Sequence, residues 1–253
     1  MVSVMTHDKT LEELWNTAPP STETFSPDAL EGLPPVARRY LSHALAPGAR
    51  LSSSVRITMT GSIQLDPGWC EFEAEQVLRW DRGFVWAARA TVNGLPVTGF
   101  DRLVDGEGAM RWKLLGLFPV MKASGSEIAR AAAGRLHAEA IWLPAVLLGP
   151  EVTWADQEDH RTLATIDAHD ETSELELVVN PEGALRSCCL HRWGDPDAGA
   201  FAYHPFGGTA DKEATFDGIT IPVRHRVGWF FGTDRFESEG EFFRCELTRV
   251  EYR

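Results

Sequence analysis

The chain is short of basic residues: 24 Lys and Arg stand against 37 Asp and Glu, for a net charge of −13. Binding to nucleic acid draws its free energy from clustered cations facing phosphates, so a general affinity for nucleic acid is excluded. Anionic membrane surfaces are disfavoured on the same ground. No stretch reaches the roughly 20 apolar residues that a spanning helix needs, so membrane insertion is not expected. Met1 to Thr10 lack the basic start and apolar centre of a signal peptide, and a cytoplasmic location is the expectation. The four cysteines, Cys70, Cys188, Cys189 and Cys245, form no C-x-x-C pair and no Cys/His cluster, which argues against structural zinc and a disulfide framework. Also missing are the G-x-S-x-G elbow, the P-loop, G-x-G-x-x-G, H-E-x-x-H and a calcium loop. Asp195-Pro-Asp-Ala-Gly199 comes nearest to the last, without the later glutamate, and reads as a turn. No metal and no cofactor are expected. A site assembled from separate strands remains open.

What is present is apolar and alternating. The hydrophobic share is 43% and nine residues are tryptophan, enough to fill a core and to line a cavity as well. Residues 1–32 read as a helical arm and linker, with Leu11, Leu14 and Trp15 on one stripe. Residues 33–253 read as a single β-rich domain. It opens on a helix at Leu33-Pro-Pro-Val36 and turns strand-like at Leu51, where Val55, Ile57 and Met59 alternate with Arg56, Thr58 and Thr60. Asp66-Pro-Gly68, Asp81-Arg-Gly83, Asn93-Gly94 and Asp105-Gly106 mark short hairpins up to Leu117. A central helix is expected at about 124–148, capped by Ser124 and Glu127 and bent at Pro144; strands resume after Pro150 and run to Tyr252. This predicts a large curved antiparallel sheet or open β-barrel, with helices on its concave side or at its mouth.

Polar side chains where the pattern calls for apolar ones are the most informative, because burying an unpaired polar group costs about 1–3 kcal/mol. Glu139 falls on the apolar stripe of the central helix with Leu136 and Leu143. It is a candidate general acid or base, or else a partner of Arg135 or of a strand arginine. His225 alternates with Val223, Val227 and Trp229, and His191 with Leu185, Cys189 and Trp193; each is a candidate proton carrier or a satisfied core histidine. Gln76 shares a face with Phe72, Ala74 and Leu78 and could orient a ligand. Trp86, Trp112, Trp142 and Trp229 are candidate pocket walls. Tyr203-His204-Pro-Phe-Gly-Gly208 reads as a loop closing a pocket mouth, with His204 a further proton carrier. Arg111 and Lys113 alternate with Trp112, either as a solvated face or as an inner face attracting an anionic head group.

Five segments carry a resemblance: Leu33-Pro-Pro-Val-Ala-Arg-Arg-Tyr-Leu41, Phe72-Glu-Ala-Glu-Gln76, Lys113-Leu-Leu-Gly-Leu-Phe-Pro119, Ala138-Glu-Ala-Ile-Trp-Leu-Pro144 and Phe216-Asp-Gly-Ile-Thr-Ile-Pro222. In this order they resemble a bacterial family known as a domain of unknown function. The resemblance implies a shared fold and a shared region around Glu139, Trp142 and Pro144, and no mechanism. The chain departs from the family at Pro205-Phe-Gly-Gly208, where members tend to carry a Trp-x-Gly segment. The strand order with a central helix is also similar to lipoprotein-carrier half-barrels, which hold acyl chains on the concave face; that likeness is one of fold.

Three functions fit these residues. The leading one is binding of an apolar or amphipathic small molecule in the hydrophobic pocket of a β half-barrel. The second is an enzyme working in the same pocket by general acid/base chemistry (cyclisation, isomerisation or hydrolysis), which needs Glu139 near one of His225, His191 and His204. The third is a filled interior with a protein partner.

Overall fold

The computed structural model describes residues 9–66, 68–158 and 160–253. Met1–Asp8 of the expected arm, and Pro67 of the expected Asp66-Pro-Gly68 turn, lie outside the described residues. The strands are β1 (Ser54–Leu65), β2 (Gly68–Arg79), β3 (Gly83–Val92), β4 (Leu95–Val104), β5 (Glu107–Leu114), β6 (Phe118–Ser124), β7 (Val152–Glu158), β8 (Arg161–Ala168), β9 (Glu171–Val179), β10 (Leu185–Gly194), β11 (Ala202–Phe216), β12 (Ile219–Trp229) and β13 (Glu241–Tyr252). They form one 13-stranded sheet in the order β6-β5-β4-β3-β2-β1-β13-β12-β11-β10-β9-β8-β7. Each neighbouring pair is antiparallel, and the sheet is open, with β6 and β7 at its two edges. Asn93-Gly94 and Asp105-Gly106 make the tight hairpins expected of them: all four residues take positive φ, the geometry whose twist matches the flanking strands.

Curvature follows from what the central helix touches. Helix α3 (Ser126–Glu139, named third in chain order) contacts β3, β4, β5 and β6 as well as β9 and β10. In the sheet order β5 and β10 are eight strand spacings apart, about 38 Å if flat, whereas a helix with its side chains is only about 10–12 Å across. The sheet therefore wraps around α3. Among the described residues two other α-helices are present: α1 (Lys9–Asn16) and α2 (Pro35–Ala44). The inner core joins Tyr40 and Leu41 of α2, Leu136 of α3 and the short turns at Ala140–Trp142 and Pro144–Leu148 to Ile57, Met59, Leu78, Phe84, Leu175 and Leu177 of the strands. Outside, Leu11, Leu14 and Trp15 of α1 cover Val77 and Val85.

Two expectations are corrected, and one strand, β6, is additional to the expected hairpins. The central helix ends at Glu139 and continues as short 3₁₀ turns; its N-cap is Gly125, which makes no side-chain cap bond, because Ser124 closes β6. Strand β6 carries no alternation to read, since six of its seven residues are exposed and Pro119 interrupts it. Tyr203 to Gly208 is no loop but the first half of β11, and the glycines serve close strand approach. A Cβ at Gly207 would lie 2.2 Å from the Cys188 carbonyl oxygen, and one at Gly208 2.2 Å from that of Arg226.

Helix α3 sits on β5 more closely than a side chain allows: a Cβ on Gly108 would lie 2.3 Å from the backbone nitrogen of Ala129. Gly108→Ala is expected to cost about 1–3 kcal/mol, the usual range for overpacking. The check is urea unfolding, read as a lowered midpoint at unchanged slope. An unchanged midpoint would mean that α3 does not rest on β5.

Candidate functional site

Strand pairing lays Ile57, Gln76, Trp86 and Asp101 in one row across β1 to β4 on the inner face. Below this row the last turns of α3 deliver Arg135 and Glu139, four residues apart and so on one side of the helix. Glu139 is fully engaged: Arg135 Nε donates to Oε1 at 2.7 Å and Gln76 Nε2 to Oε2 at 2.5 Å. Arg135 also reaches Gln76 Oε1 at 3.3 Å and Asp101 at 3.5 Å, and Trp112 Nε1 donates to Asp101 Oδ1 at 2.9 Å. Burial raises the Asp101 carboxyl against the pull of Arg135. Glu139 is thus the ion-pair partner of Arg135. Among the described residues no hydrogen bond joins it to His225, His191 or His204.

Arg192, on β10, completes the group and differs from it. Its Nε donates to the Ala131 carbonyl of α3 at 2.9 Å, and its guanidinium lies over Phe206 and Trp229, 4.5 and 5.1 Å from their ring centres. Among the described residues no carboxylate stands within ion-pair distance of it. Burial and then the like charge of Arg135 push its pKa down to about 9 against the longer-range pull of Glu139 and Asp101, so it stays charged at neutral pH. A second donor on the inner face is unmatched: the buried Trp86 indole N–H has no partner. Trp86 packs against Trp112 and Phe243 with ring centres 5.5 and 5.9 Å apart, and Phe243 stacks on Phe72 at 4.9 Å. Trp112, Trp229, Phe242 and Phe243 are only partly buried. The inner face is therefore filled beneath α2 and α3, and it is half-open as an aromatic rim where β1, β5 and β12 end and β13 begins.

The remaining candidates fall elsewhere. His225 is buried on the inner face as its alternation requires; Trp142 Nε1 donates to His225 Nε2 at 3.0 Å. The Pro222 carbonyl lies 3.1 Å from the same nitrogen, but an indole can only donate, so Nε2 accepts and the ring proton sits on Nδ1. His191 is corrected to an exposed position: a bulge between Leu185 and Ser187 shifts the face, so Leu190 and Arg192 turn inward in its place. His204 lies partly buried beside Trp229 and Phe230. Tyr203, 42% exposed, hydrogen bonds to Arg130 and Glu171 in a separate cluster. Arg111 takes the first of its two readings, the solvated face, since Trp112 turns inward to Asp101. Asp101 and Arg192 were not anticipated. Asp101 was legible, because it alternates with Val97 and Leu103 as Glu139 does with its stripe; Arg192 was hidden by the bulge.

An open groove of about 920 Å³ lies on the opposite face of the sheet, among Glu71, Glu73, Arg224, Arg226, Arg244 and Glu246. Its arginines are committed: Arg226 and Arg244 both bind Glu241 at 2.7 Å, and Arg224 binds Glu246 at 3.3 Å. Among the described residues no helix is long and apolar enough to cross a membrane.

The chain belongs to DUF6544, a family of unknown function whose pattern matches residues 23–238. The five segments quoted above pointed to a family of this kind. No curated protein matches the chain. Similar solved structures include a LolA superfamily protein from Nitrosomonas europaea (7% identity, TM-score 0.46, covering 86% of this chain and 92% of that one). Another is a DUF1329 family protein from Desulfovibrio piger (13%, 0.44, 86% and 90%). A third is a domain named for outer membrane lipoprotein sorting from Vibrio parahaemolyticus (6%, 0.43, 79% and 86%).

Two inner histidines set an acid limit on stability. Burial holds both His225 and His137 down to about 4, and His137 Nδ1 shares a hydrogen bond with Ser173 at 2.8 Å while its Nε2 has no partner. A depressed imidazole pKa means that the unfolded chain takes up the proton first. Stability is therefore complete above about pH 6.5 and falls until about pH 4. At pH 5 the loss is about 2 kcal/mol per histidine. Unfolding midpoints measured from pH 7 to pH 4 check this: His137→Gln and His225→Gln should each flatten the profile, and a slope unchanged in both variants contradicts the assignment.

Proposed function

We propose that the protein binds an amphipathic acid at the aromatic rim, with the acid group on Arg192 and the apolar tail along Trp229, Phe206, Phe242 and Phe243. The observation that carries this reading is the uneven pairing of two half-buried arginines. Arg135 is in direct contact with Glu139 and Asp101, whereas Arg192 is held between aromatic faces and feels those two carboxylates only at longer range. A desolvated guanidinium presents a planar fork of N–H donors that suits a carboxylate or phosphate in two-point contact. The half-exposed rings of Trp229, Phe242 and Phe243 supply apolar contact at low entropic cost, because they are packed in place before anything binds.

Binding and not turnover is the reading favoured here. The carboxylate best placed for proton transfer, Glu139, is saturated by Gln76 and Arg135, and His225 is spent on Trp142. The test is a tryptophan-fluorescence titration with dodecanoate and with dodecanol. Dodecanoate should bind more tightly, and Arg192→Gln should weaken it by about 10- to 100-fold while leaving the alcohol unchanged, the range for a charged hydrogen-bonded contact. Equal affinity for acid and alcohol, or an unaltered Arg192→Gln variant, would overturn the proposal.

A further inference from the structure

The hairpin of β5 and β6 inverts the charge balance of the molecule. Between Gly108 and Ser126 there is no Asp or Glu, while Arg111, Lys113 and Lys122 all lie exposed. None of the three is ion-paired among the described residues. Arg111 and Lys122 are direct cross-strand partners, a like-charge juxtaposition that is destabilising unless an anion comes between them. The neighbouring strand offers no relief, since Thr98 and Phe100 of β4 stand opposite Lys113 and Arg111.

The same hairpin is the most apolar exposed part of the protein. Leu117 is 73% exposed, Phe118 60%, Val120 56% and Met121 50%. Leu115 follows at 47%, its N–H bonded to the Pro96 carbonyl of the adjoining β3–β4 hairpin, whose tip residue Leu95 is 44% exposed. Leu65 and Trp69, at the β1–β2 turn, continue this row along the same end of the sheet. Strand β6 is an edge, and a second copy pairing there would meet Pro119, which has no N–H to donate, as well as its own cations. Side-chain insertion suits this surface better than strand addition.

The geometry points to an anionic lipid bilayer as the occupant: Arg111, Lys113 and Lys122 meet lipid phosphates while Leu115, Leu117 and Phe118 enter the interface between head groups and acyl chains. Net charge argues against such a surface for the molecule as a whole, but within a Debye length of about 8–10 Å the hairpin sets the local potential. The docked edge is also the half-open rim of the inner face, which would then face the membrane. The inference stands on the hairpin alone and does not require a ligand at Arg192.

Flotation of the protein with vesicles of phosphatidylcholine, with and without about 30 mol% phosphatidylglycerol to give a marked surface potential, tests it. Binding should require the anionic lipid and fall with salt. Each of Arg111→Gln, Lys113→Gln and Lys122→Gln should weaken it about fivefold, the worth of one cation near such a surface. Leu117→Ser with Phe118→Ser should weaken it as well, whereas Arg186→Gln, an exposed change on β10, should not. All these positions are exposed, so unchanged circular dichroism and melting should accompany the losses. No binding to anionic vesicles overturns the inference, as does binding indifferent to the hairpin variants. A sedimenting dimer broken by the leucine and phenylalanine changes would assign the face to a second copy instead.

Discussion

The ion pair between Arg135 and Glu139, closed by Gln76 and Asp101, is the interaction on which the inner half of the molecule depends. Helix α3 is a poor hydrophobic element: its sequence, Ser-Glu-Ile-Ala-Arg-Ala-Ala-Ala-Gly-Arg-Leu-His-Ala-Glu, gives Leu136 as its largest fully buried side chain. Small residues let the helix approach the strands closely, as at Gly108, and a helix so placed presents its arginines to the sheet. Charges taken out of water are costly unless each finds a partner. Two strand residues, Gln76 and Asp101, and one helix carboxylate answer Arg135. Orientation of α3 inside the wrapped sheet follows from that fixed geometry, and so does the half-open rim beyond the helix.

Arg192 is the residue that this matching leaves over. It touches α3 through the Ala131 carbonyl and aromatic rings through its faces, an arrangement that keeps a guanidinium in place without neutralising it. The outer groove is the instructive contrast. It is richer in arginine, yet Glu241 and Glu246 already occupy those arginines. A count of cations would choose the outer face; the pairing of each cation chooses the inner one.

Much of this was legible in the sequence. Alternation in β1, the Asn93-Gly94 and Asp105-Gly106 turns and the apolar stripe through Leu136 depend on local chemistry, and they gave the open antiparallel sheet with an inner helix. Glu139 and His225 were legible for the same reason, as polar groups breaking an apolar pattern, and each has the partner that burial demands. What was not legible depends on long-range events. The bulge at Leu185 to Ser187 exchanges the faces of β10, so plain alternation places His191 inward and hides Arg192. Gly207 and Gly208 look like loop residues until β10 and β12 are seen pressing on them from both sides. Strand β6 buries almost nothing, and so its sequence bears no period.

The central claim is that Arg192 receives an acid group, and the most direct measurement is the ionisation of that group while bound. Dodecanoate labelled with ¹³C at the carboxyl carbon would be followed by NMR through a pH titration in the presence of the protein. A carboxylate against an unmatched guanidinium should show a bound resonance that stays ionised well below the usual carboxylate range, and Arg192→Gln should abolish that depression. A bound carboxyl that titrates as it does in water, or one whose titration is the same in the variant, would contradict the account.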